Sequence, residues 1–568
     1  MKPKLYHSQR LENTRELIHR SEVLFGDRIA FRELDRERQI QEYTYRQLAR
    51  DVESLGAALL HHGLLAKHIA LLGENCYRWV VSYLAIAGGL GVVVPLDKEL
   101  PAGDIAKLLR KSDSDAVICT AAYAPMIQSV LPECPAVTCC FVMGGTSHKE
   151  PGFLAFDRLL EEGRAILDGP GSPYPTLPID PDALCEIIFT SGTTGANKGV
   201  MLCQRNVMAV LHGIMHMIKA EPVSISVLPI SHSYECTCHV LGGIYSGITV
   251  CFNDSLKHLK DNLRLFKPGM SLMVPLFLET MHRQIWKEAE KANLAGHLRY
   301  GIAFSNLLRA IGIDMRRLYF KPILEKFGGN LAQIVCGGAP LREELIKGFG
   351  DLGIDVVNGY GITECAPVIS TNSSAWRRAG SVGLVLPVCD VRIDMPDEKG
   401  NGEVLVRGDT VMLGYYRDEA ATQASFSEDG YFKTGDLGRL DRRGFLYLTG
   451  RKKNLIVLSN GKNVCPEEVE EAILGQIGYV REVVVYSRSI AGSQETIVAD
   501  VYLDPEHTGN ASLAELRERL EQDIRRLNNR LPAYKRVQEV RISQTEFEKT
   551  TTRKIKRQVV LEGRASIA

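Results

Sequence analysis

Short runs of β-branched residues alternate with helix-length amphipathic segments from about residue 28 to residue 450. Because parallel strands need a long crossover connection, usually a helix, this alternation predicts βαβ units and mainly parallel sheets. The predicted strands include residues 69–72, 92–94, 116–120, 187–190, 334–336 and 355–357. Several of them end directly in glycine-bearing turns. Ligands of open α/β sheets bind at the carboxyl ends of the strands, so we expect binding residues in those turns.

The pattern changes after Lys452. Residues 467–474 form a predicted helix, and residues 482–486 and 496–503 form predicted strands. Leucine and isoleucine then recur at three- and four-residue spacing, which predicts an amphipathic helix, at Leu513, Leu516, Leu520, Ile524, Leu527 and Leu531. We therefore expect an α/β fold with a large N-terminal domain of mainly parallel βαβ sheets, residues 1–450, and a smaller α+β C-terminal domain, residues 453–568, joined by a hinge.

The composition is typical of a multidomain globular protein. Of the 568 residues, 45% are hydrophobic and 24% are charged, and 68 basic residues balance 68 acidic residues. These values argue against disorder and against nucleic acid as a partner. Residues 1–20 lack the apolar core of a signal peptide and the fourteen cysteines lack zinc-site spacing, so we expect free thiols in the cytoplasm. Peripheral contact with the inner face of a membrane stays open, as does the oligomeric state.

A stretch rich in glycine and hydroxyl groups, residues 190–199, follows a predicted strand. Its glycines let backbone N–H groups approach phosphate oxygens, its hydroxyls add donors, and Lys198 adds positive charge. It is not a Walker A loop, because Lys198 lies between Asn197 and Gly199 instead of between glycine and a hydroxyl residue. The stretch predicts a triphosphate site, with an ordinary flexible turn as the alternative. The predicted phosphate contacts are Thr190, Ser191, Gly192, Thr193, Thr194, Gly195 and Lys198.

This stretch resembles the signature of the adenylate-forming superfamily, which includes acyl-CoA synthetases, luciferases and peptide-synthetase adenylation domains. The usual signature has proline where this chain has Asn197. Two further motifs, residues 337–341 and 358–364, follow predicted strands. An aromatic ring flanked by glycine can stack on a base, an Asn amide can bond its edge, and a carboxylate can bind Mg²⁺. The resemblance implies an adenine site at Gly338, Ala339, Pro340, Asn358, Gly359, Tyr360 and Gly361, a phosphate contact at Thr363 and magnesium at Glu364.

Two polar residues near the expected domain border complete the nucleotide site that the resemblance implies. Asp436 lies in a glycine-flanked turn, where its carboxylate can accept hydrogen bonds from both ribose hydroxyls. Arg451 follows fifteen residues later. Family members use the residue that matches Lys453 as the hinge between the large and small domains.

The C-terminal domain is expected to carry two further functional segments. The resemblance places the adenylation lysine at Lys554, whose ammonium can reach both the attacking carboxylate and the α-phosphate. The family usually has glycine where this chain has Arg553. Residues 459–464 match the segment that admits the thiol, so Gly461 and Lys462 are the predicted coenzyme A contacts. An ordinary hairpin turn at residues 460–461 is compatible with that role.

Two segments bear on the acid that is activated. Residues 228–235 resemble the border of the acyl site, where His232 is predicted to gate or orient the carboxylate. A hydrogen-bonded structural histidine is the alternative. Residues 254–279 resemble the long-chain fatty acyl-CoA synthetases, although those usually have arginine at the position of Leu276.

The resemblance covers about residues 20–560 and implies an ATP-dependent acyl-CoA synthetase. Such an enzyme activates a fatty acid, here of medium to long chain, as an acyl adenylate with release of pyrophosphate, then transfers the acyl group to coenzyme A. The expected ligands are ATP, Mg²⁺, coenzyme A and a small carboxylic acid. The alternatives are an acyl-AMP ligase that loads a separate acyl carrier protein, a ligase for aryl or other carboxylates, and a non-catalytic relative, suggested by Asn197 and Arg553.

Overall fold

A computed structural model describes residues 6–144, 152–169, 171–191, 197–458, 462–488, 496–509, 511–549 and 555–565. Contacts within the chain divide it into two compact units. The first unit contains the residues up to Asp390 together with Val406–Phe432, and the second contains Val391–Leu405 together with the residues from Lys433 onward. Each unit therefore draws on segments that are separated in the sequence. The expected border between residues 450 and 453 stays a prediction.

The helices are distributed along both units. In chain order they are α1 (Thr14–Phe25), α2 (Tyr45–His61), α3 (Tyr77–Ala85), α4 (Ala102–Lys111), α5 (Ala124–Val130), α6 (Phe156–Asp168), α7 (Gln204–Met217), α8 (Gly242–Ser246), α9 (Leu259–Phe266), α10 (Pro275–Lys291), α11 (Ala295–Ala310), α12 (Arg316–Tyr319), α13 (Lys321–Leu324), α14 (Glu343–Asp351), α15 (Glu419–Ala424), α16 (Pro466–Gln476), α17 (Pro505–Thr508), α18 (Leu513–Asn528) and α19 (Arg557–Ala565). A π-helical segment, Tyr234–Leu241, precedes α8.

The strands are short, as the β-branched runs predict. They are β1 (Ile29–Leu34), β2 (Ile40–Thr44), β3 (His68–Leu72), β4 (Val92–Leu96), β5 (Ala116–Thr120), β6 (Cys139–Met143), β7 (Phe153–Ala155), β8 (Leu184–Ser191), β9 (Asn197–Cys203), β10 (Val223–Ser226), β11 (Thr249–Phe252), β12 (Met270–Met273), β13 (Gln333–Cys336), β14 (Asp355–Tyr360), β15 (Ser370–Thr371), β16 (Gly383–Val385), β17 (Cys389–Asp394), β18 (Gly402–Gly408), β19 (Gly414–Tyr415), β20 (Phe432–Leu440), β21 (Phe445–Arg451), β22 (Ile456–Val457), β23 (Asn463–Val464), β24 (Val480–Arg488), β25 (Thr496–Leu503) and β26 (Glu539–Ser543).

One sheet of the first unit has the strand order β19-β9-β8-β4-β3-β5-β6-β7. The strands from β8 through β4 to β7 run parallel, with Ile69 opposite Val93 on one side and Ala116 on the other. Its central strands are buried on both faces, so they are continuous apolar runs. The antiparallel pairs β8–β9 and β9–β19 close one edge.

The second sheet of this unit runs β16-β15-β14-β13-β12-β10-β11-β1-β2. Its centre, from β14 to β1, is parallel, and the outer pairs are antiparallel. Cys336 at the end of β13 pairs with Asn358 in β14. The turns that follow these two strands therefore emerge at the same edge of the sheet.

The second unit has an α+β core. Strand β25 pairs antiparallel with β24 and parallel with β26. Helix α16 buries Val469 and Ile473 in that core, and α18 buries Leu520, Ile524 and Leu527. A capping box starts α18, because the Ser512 side chain accepts a bond from the Glu515 backbone while the Glu515 carboxylate accepts one from Ser512.

The expected fold class is confirmed: a large unit with mainly parallel sheets accompanies a smaller α+β unit. The amphipathic helix ends earlier than its leucine pattern predicts. It stops at Asn528, and Leu531 lies beyond it, directly before Pro532. A residue before proline is biased away from helical backbone, which explains the difference. No helix within the described ranges has both the length and the apolar character needed to cross a bilayer.

Candidate functional site

The glycine- and hydroxyl-rich stretch closes a β-hairpin. Strand β8 continues to Ser191, β9 begins at Asn197, and Thr190 pairs with Lys198. The strand pairing therefore extends into this stretch at both ends, one residue beyond the predicted strand 187–190 and back to Asn197 on the other side. Gly192, Thr193, Thr194 and Gly195 lie outside the described residues. Their contact with phosphate stays a prediction.

Lys198 and Glu364 both lie next to Tyr415, a residue that the sequence motifs did not indicate. The Lys198 Nζ lies 4.5 Å from the centroid of the Tyr415 ring. The phenol of Tyr415 donates a hydrogen bond of 3.0 Å to Glu364 Oε1. Burial, followed by the Glu364 carboxylate, raises the pKa of Tyr415, so its phenol keeps the proton that it donates. The structure thus brings together the predicted phosphate lysine and the predicted magnesium carboxylate.

Backbone bonds hold this group in place. Strand β19, which contains Tyr415, pairs antiparallel with β9. The Tyr416 N–H donates to the Gly199 carbonyl at 2.7 Å, and the Met412 N–H donates to the Glu364 carbonyl at 2.9 Å. Residues 412–416 therefore join the lysine strand to the short helical turn Thr363–Cys365, which contains Glu364.

The predicted adenine residues lie at the adjacent ends of β13 and β14. Gly338 follows β13 with a φ of +85°, a conformation that favours glycine. Tyr360 ends β14 and is buried. A side chain at Gly361 would place its Cβ 1.7 Å from the Pro367 carbonyl oxygen, so only glycine fits there. The structure therefore gathers residues 337–340 and 358–363 at one edge, as the sequence predicted.

An apolar cavity adjoins these strand ends. It encloses about 850 Å³ of space, its open mouth included. The strand ends contribute Gly337, Gly338, Gly359, Tyr360 and Gly361 to its wall, α7 contributes Ile214 and Met215, and the π-helical segment contributes Tyr234, Cys238 and His239. Ile218, Ile248, Met270 and Leu272 add further apolar surface.

His232 lies in the turn between β10 and the π-helical segment. Asn75 braces this turn, since its Nδ2 donates to the Leu228 carbonyl at 2.7 Å and its Oδ1 accepts from the Ile230 N–H at 3.1 Å. The His232 Nε2 lies 3.8 Å from Asp97 Oδ2. A histidine ring near a carboxylate, in a braced turn, is compatible with both predictions for His232, an orienting role and a structural one.

The second unit pairs two of the predicted nucleotide residues. Asp436 in β20 lies opposite Arg451 in β21, and the Arg451 Nε lies 2.9 Å from Asp436 Oδ1. Lys453, the expected hinge residue, sits in the turn Lys452–Asn454. Burial, followed by the nearby Arg451 charge, lowers the pKa of Lys453. Its neighbour Lys452 forms an ion pair of 2.6 Å with Glu403 Oε2.

The predicted coenzyme A and adenylation residues are described only in part. The Lys462 Nζ lies 4.9 Å from the centroid of the Tyr534 ring, and its carbonyl accepts from the Leu458 N–H at 3.0 Å. Gly461 and Lys554 lie outside the described residues. Their roles stay predictions.

Comparison with family models agrees with this arrangement. A model described as AMP-binding enzyme matches residues 19–416, and one described as AMP-binding enzyme C-terminal domain matches residues 453–565. The chain belongs to the AMP-binding enzymes. It is thus an adenylate-forming enzyme, and the resemblance found in its sequence motifs is confirmed.

Curated relatives of this AMP-binding enzyme span most of its length. "Long chain acyl-CoA synthetase 7, peroxisomal" from Arabidopsis thaliana is 29% identical over 495 residues, covering 82% of this chain and 69% of the relative. "Long-chain-fatty-acid--CoA ligase FadD15" from Mycobacterium bovis is 29% identical over 573 residues, covering 92% of this chain and 91% of the relative.

Solved structures share the fold of this AMP-binding enzyme. The anthranilate CoA ligase AuaEII in complex with anthranoyl-AMP gives a TM-score of 0.77 at 20% identity, covering 100% of this chain and 99% of the other. A Mycobacterium tuberculosis fatty acyl CoA synthetase gives 0.64 at 22% identity, covering 98% and 99%. At such identities the likeness shows the fold alone.

The sequence offered weak signals for the residues that were missed. Tyr415 follows a glycine in the run Gly414-Tyr415-Tyr416, an aromatic pair between turn residues. Glu235 and His239 stand four residues apart, the spacing at which helical side chains meet. Neither signal indicates which residue outside its own segment is contacted. The sequence of this AMP-binding enzyme therefore predicts many residues of the site but not the contacts between them.

Proposed function

We propose that this AMP-binding enzyme is an ATP-dependent acyl-CoA synthetase for fatty acids of medium to long chain. It forms an acyl adenylate with release of pyrophosphate and then transfers the acyl group to coenzyme A. The observation that carries the proposal is the apolar cavity, whose wall includes the glycines and Tyr360 of the expected adenylate site. A carboxylate bound to AMP at that wall has its hydrocarbon part beside an apolar lining.

The first half-reaction requires the protein to position the reactants and to supply positive charge. A carboxylate is a poor acyl donor, and its attack on the α-phosphate of ATP converts the leaving oxygen into part of AMP. Lys198 supplies positive charge for the departing pyrophosphate, while Lys554 approaches the carboxylate and the α-phosphate. Lys198 is held over the Tyr415 ring, so its position does not depend on the hairpin tip alone.

The residues present fit a magnesium ion that binds together with the nucleotide. Mg²⁺ is usually bound through one or two carboxylates, substrate phosphates and water. Within the described ranges, no group of three or more His, Cys, Asp or Glu side chains forms a cage of its own. The Tyr415 phenol engages Glu364 Oε1, so Glu364 would hold the ion with its other carboxylate oxygen. When bound, the ion would neutralise charge on the triphosphate.

The apolar wall supports a preference for longer acids. Each buried CH₂ group contributes about 0.8 kcal/mol, so every added methylene inside the cavity tightens binding several-fold until the space is filled. Acetate gains almost nothing from such a wall. The names of the curated relatives support the same class of substrate and support coenzyme A as the acceptor.

A panel of carboxylic acids tests the proposal. Acetate, straight-chain acids of increasing length and aromatic acids are offered with Mg²⁺ and ATP, and pyrophosphate release is measured with and without coenzyme A. We expect kcat/KM to rise with chain length and AMP release to require coenzyme A. Pyrophosphate exchange without coenzyme-A-dependent AMP release would favour a carrier-protein ligase instead. Absence of exchange with every acid would refute acyl activation.

We propose a cytoplasmic location, in which the fourteen cysteines, all free thiols in the structure, stay reduced. We also propose peripheral contact with an anionic membrane surface. On α11 and just after it, Tyr300, Leu307 and Ile311 are 80%, 65% and 69% exposed and recur on one helix face. Exposed Arg299 adjoins Tyr300 in the sequence and adds positive charge beside this face, which suits a surface of negatively charged lipids.

Vesicle flotation tests the membrane contact. Wild-type protein should float with vesicles containing phosphatidylserine and far less with neutral ones, and a Tyr300→Ser/Leu307→Ser variant should stay at the bottom. Val23, on α1, is also exposed, so Val23→Ser is the matched control and should float like the wild type. Equal flotation of both variants, or a concentration-dependent dimer that the Tyr300→Ser/Leu307→Ser variant abolishes, would contradict the membrane assignment.

A further inference from the structure

A buried polar pair contributes one of its two side chains, His239, to the mainly apolar wall of the cavity. His239 lines the cavity, and its Nδ1 lies 2.7 Å from Oε1 of Glu235, which stands four residues earlier in the π-helical segment. The side chains of His239 and Glu235 are 1% and 0% exposed. Charged and polar side chains are seldom buried this completely unless they are paired or functional. The pair therefore needs a physical explanation.

The two side chains satisfy each other only in part. The His239 Nε2 and the Glu235 Oε2 are both buried and have no hydrogen-bond partner among the described residues. Other polar groups of the wall are engaged: the Tyr234 phenol donates to the Val335 carbonyl, and the Ser246 hydroxyl contacts the Met215 sulfur. A buried polar atom without a partner costs about 1–3 kcal/mol. A ligand that supplies the missing hydrogen bond recovers that cost.

The backbone conformation of this segment is also unusual. Residues Tyr234–Leu241 form a π-helical stretch, which places Glu235 and His239 side by side. Such stretches are rare and frequently occur at functional sites. The segment leads directly into α8, whose Gly242 and Gly243 also line the cavity.

We propose that the His239–Glu235 pair recognises a hydroxyl group on the acyl part of the substrate. This assignment rests on the proposed acyl-activating function and narrows its substrate class to hydroxylated carboxylic acids. With Glu235 ionised, the His239 Nδ1–H donates to it, and Nε2 is either a lone-pair acceptor or, in the imidazolium, a donor. A hydroxyl group satisfies both states, since it donates and accepts. A second carboxylate on the substrate would instead be repelled by the negative charge of Glu235.

The expected preference follows from the cost of an unsatisfied buried group. Binding of an unsubstituted acid leaves the Nε2 atom unpaired, whereas a hydroxyl at the right position pairs it. The hydroxylated acid should therefore exceed its parent in kcat/KM by about tenfold or more. The advantage should appear at one or two positions along the chain only, because His239 occupies one place in the wall, where its bond to Glu235 holds it.

The experiment compares matched acids on the full-length enzyme. Straight-chain acids of one length, unsubstituted or with a single hydroxyl at successive positions, are assayed for pyrophosphate release with ATP and Mg²⁺, and hydroxylated aromatic acids are included. For each pair the ratio of kcat/KM, hydroxylated over parent, is recorded. In His239→Phe this ratio should fall to near one, and in His239→Gln, which keeps a donor and an acceptor, it should fall less.

Two further variants distinguish loss of hydroxyl recognition from misfolding and from a change in cavity shape. Glu235→Leu/His239→Phe replaces both partners, so no lone charge stays buried if His239→Phe alone fails to fold. Ile214→Leu reshapes the same wall without a polar atom and should leave the ratio unchanged. Turnover of parent acids with a ratio near one at every position would overturn the His239 assignment and leave acyl activation intact. Absence of pyrophosphate release with every acid would overturn the proposed function itself.

Discussion

Tyr415→Phe isolates one hydrogen bond in the expected triphosphate site. The substitution keeps the ring that lies 4.5 Å from the Lys198 ammonium and removes only the phenol oxygen, which stands 3.0 Å from Glu364 Oε1. A hydrogen bond to a charged group contributes about 1.5–3 kcal/mol. At about 1.4 kcal/mol per factor of ten, we expect kcat/KM for MgATP to fall roughly 10- to 150-fold.

The neighbouring tyrosine provides a matched control. The Tyr416 phenol donates to Asp113 Oδ2 at 2.7 Å, so Tyr416→Phe also removes one phenol–carboxylate bond, but away from Lys198 and Glu364. It should change kcat/KM by no more than about threefold, as is usual for a change away from the reacting atoms. Tyr415→Leu removes the ring as well and should cost more than Tyr415→Phe, since a cation over an aromatic face is worth about 0.5–2 kcal/mol.

The assay is ATP–pyrophosphate exchange at saturating acid, repeated over a range of magnesium concentrations. If Tyr415 orients Glu364 toward the metal, the Tyr415→Phe variant should need more magnesium for half-maximal exchange, and saturating magnesium should restore part of the lost rate. Equal losses in Tyr415→Phe and Tyr416→Phe, or an unchanged magnesium requirement, would refute this reasoning.

Three further predictions concern other parts of the chain. Lys554→Ala should depress acyl-adenylate formation far more than thioester formation from supplied acyl-AMP, and equal losses in both half-reactions would contradict its assigned role. Burial raises the pKa of Glu186 from its ordinary 4.5 to about 8, so the folded state holds a proton that the unfolded chain releases. Stability should therefore fall as pH rises from about 4.5 to 8, and Glu186→Gln should flatten that fall in denaturation midpoints; parallel curves would count against it. Gly361→Ala should lower the midpoint of thermal unfolding, because its Cβ meets the Pro367 carbonyl oxygen, while Gly350→Ala, with open space around its Cβ, should not; equal midpoints for the two variants would be inconsistent with that clash.

The sequence predicted the strand ends of the site well. Parallel strands put their carboxyl ends at one edge, so the motifs after residues 336 and 357 could be expected to meet, and Cys336 does pair with Asn358. Asp436 and Arg451 were predicted as parts of one nucleotide site, and they lie opposite each other in neighbouring strands. Both predictions concern residues in or directly after regular strands. The sequence pattern of such strands determines the sheet edge at which these residues lie.

Contacts made by very short elements could not be predicted in this way. Tyr415 reaches Glu364 across 51 residues through β19, a strand of two residues that has no period to detect. Glu235 and His239 are visible in the sequence as two polar residues four positions apart, but nothing in the pattern indicates that their surroundings are apolar. That depends on α7 and on strands distant in the chain, which complete the cavity wall.

The pairing of β9 with β19 affects which substitutions this site can tolerate during evolution. Among the described residues, one small backbone patch, residues 412–416, links the strand of Lys198 to the turn of Glu364. The first residue of β9 can therefore vary, as Asn197 does here where the family signature usually has proline, while the spacing between the two charges is set by the patch. Substitutions at position 197 would adjust how a nucleotide enters, whereas insertions or deletions that shift the backbone pairing of the patch would alter the distance between cation and carboxylate.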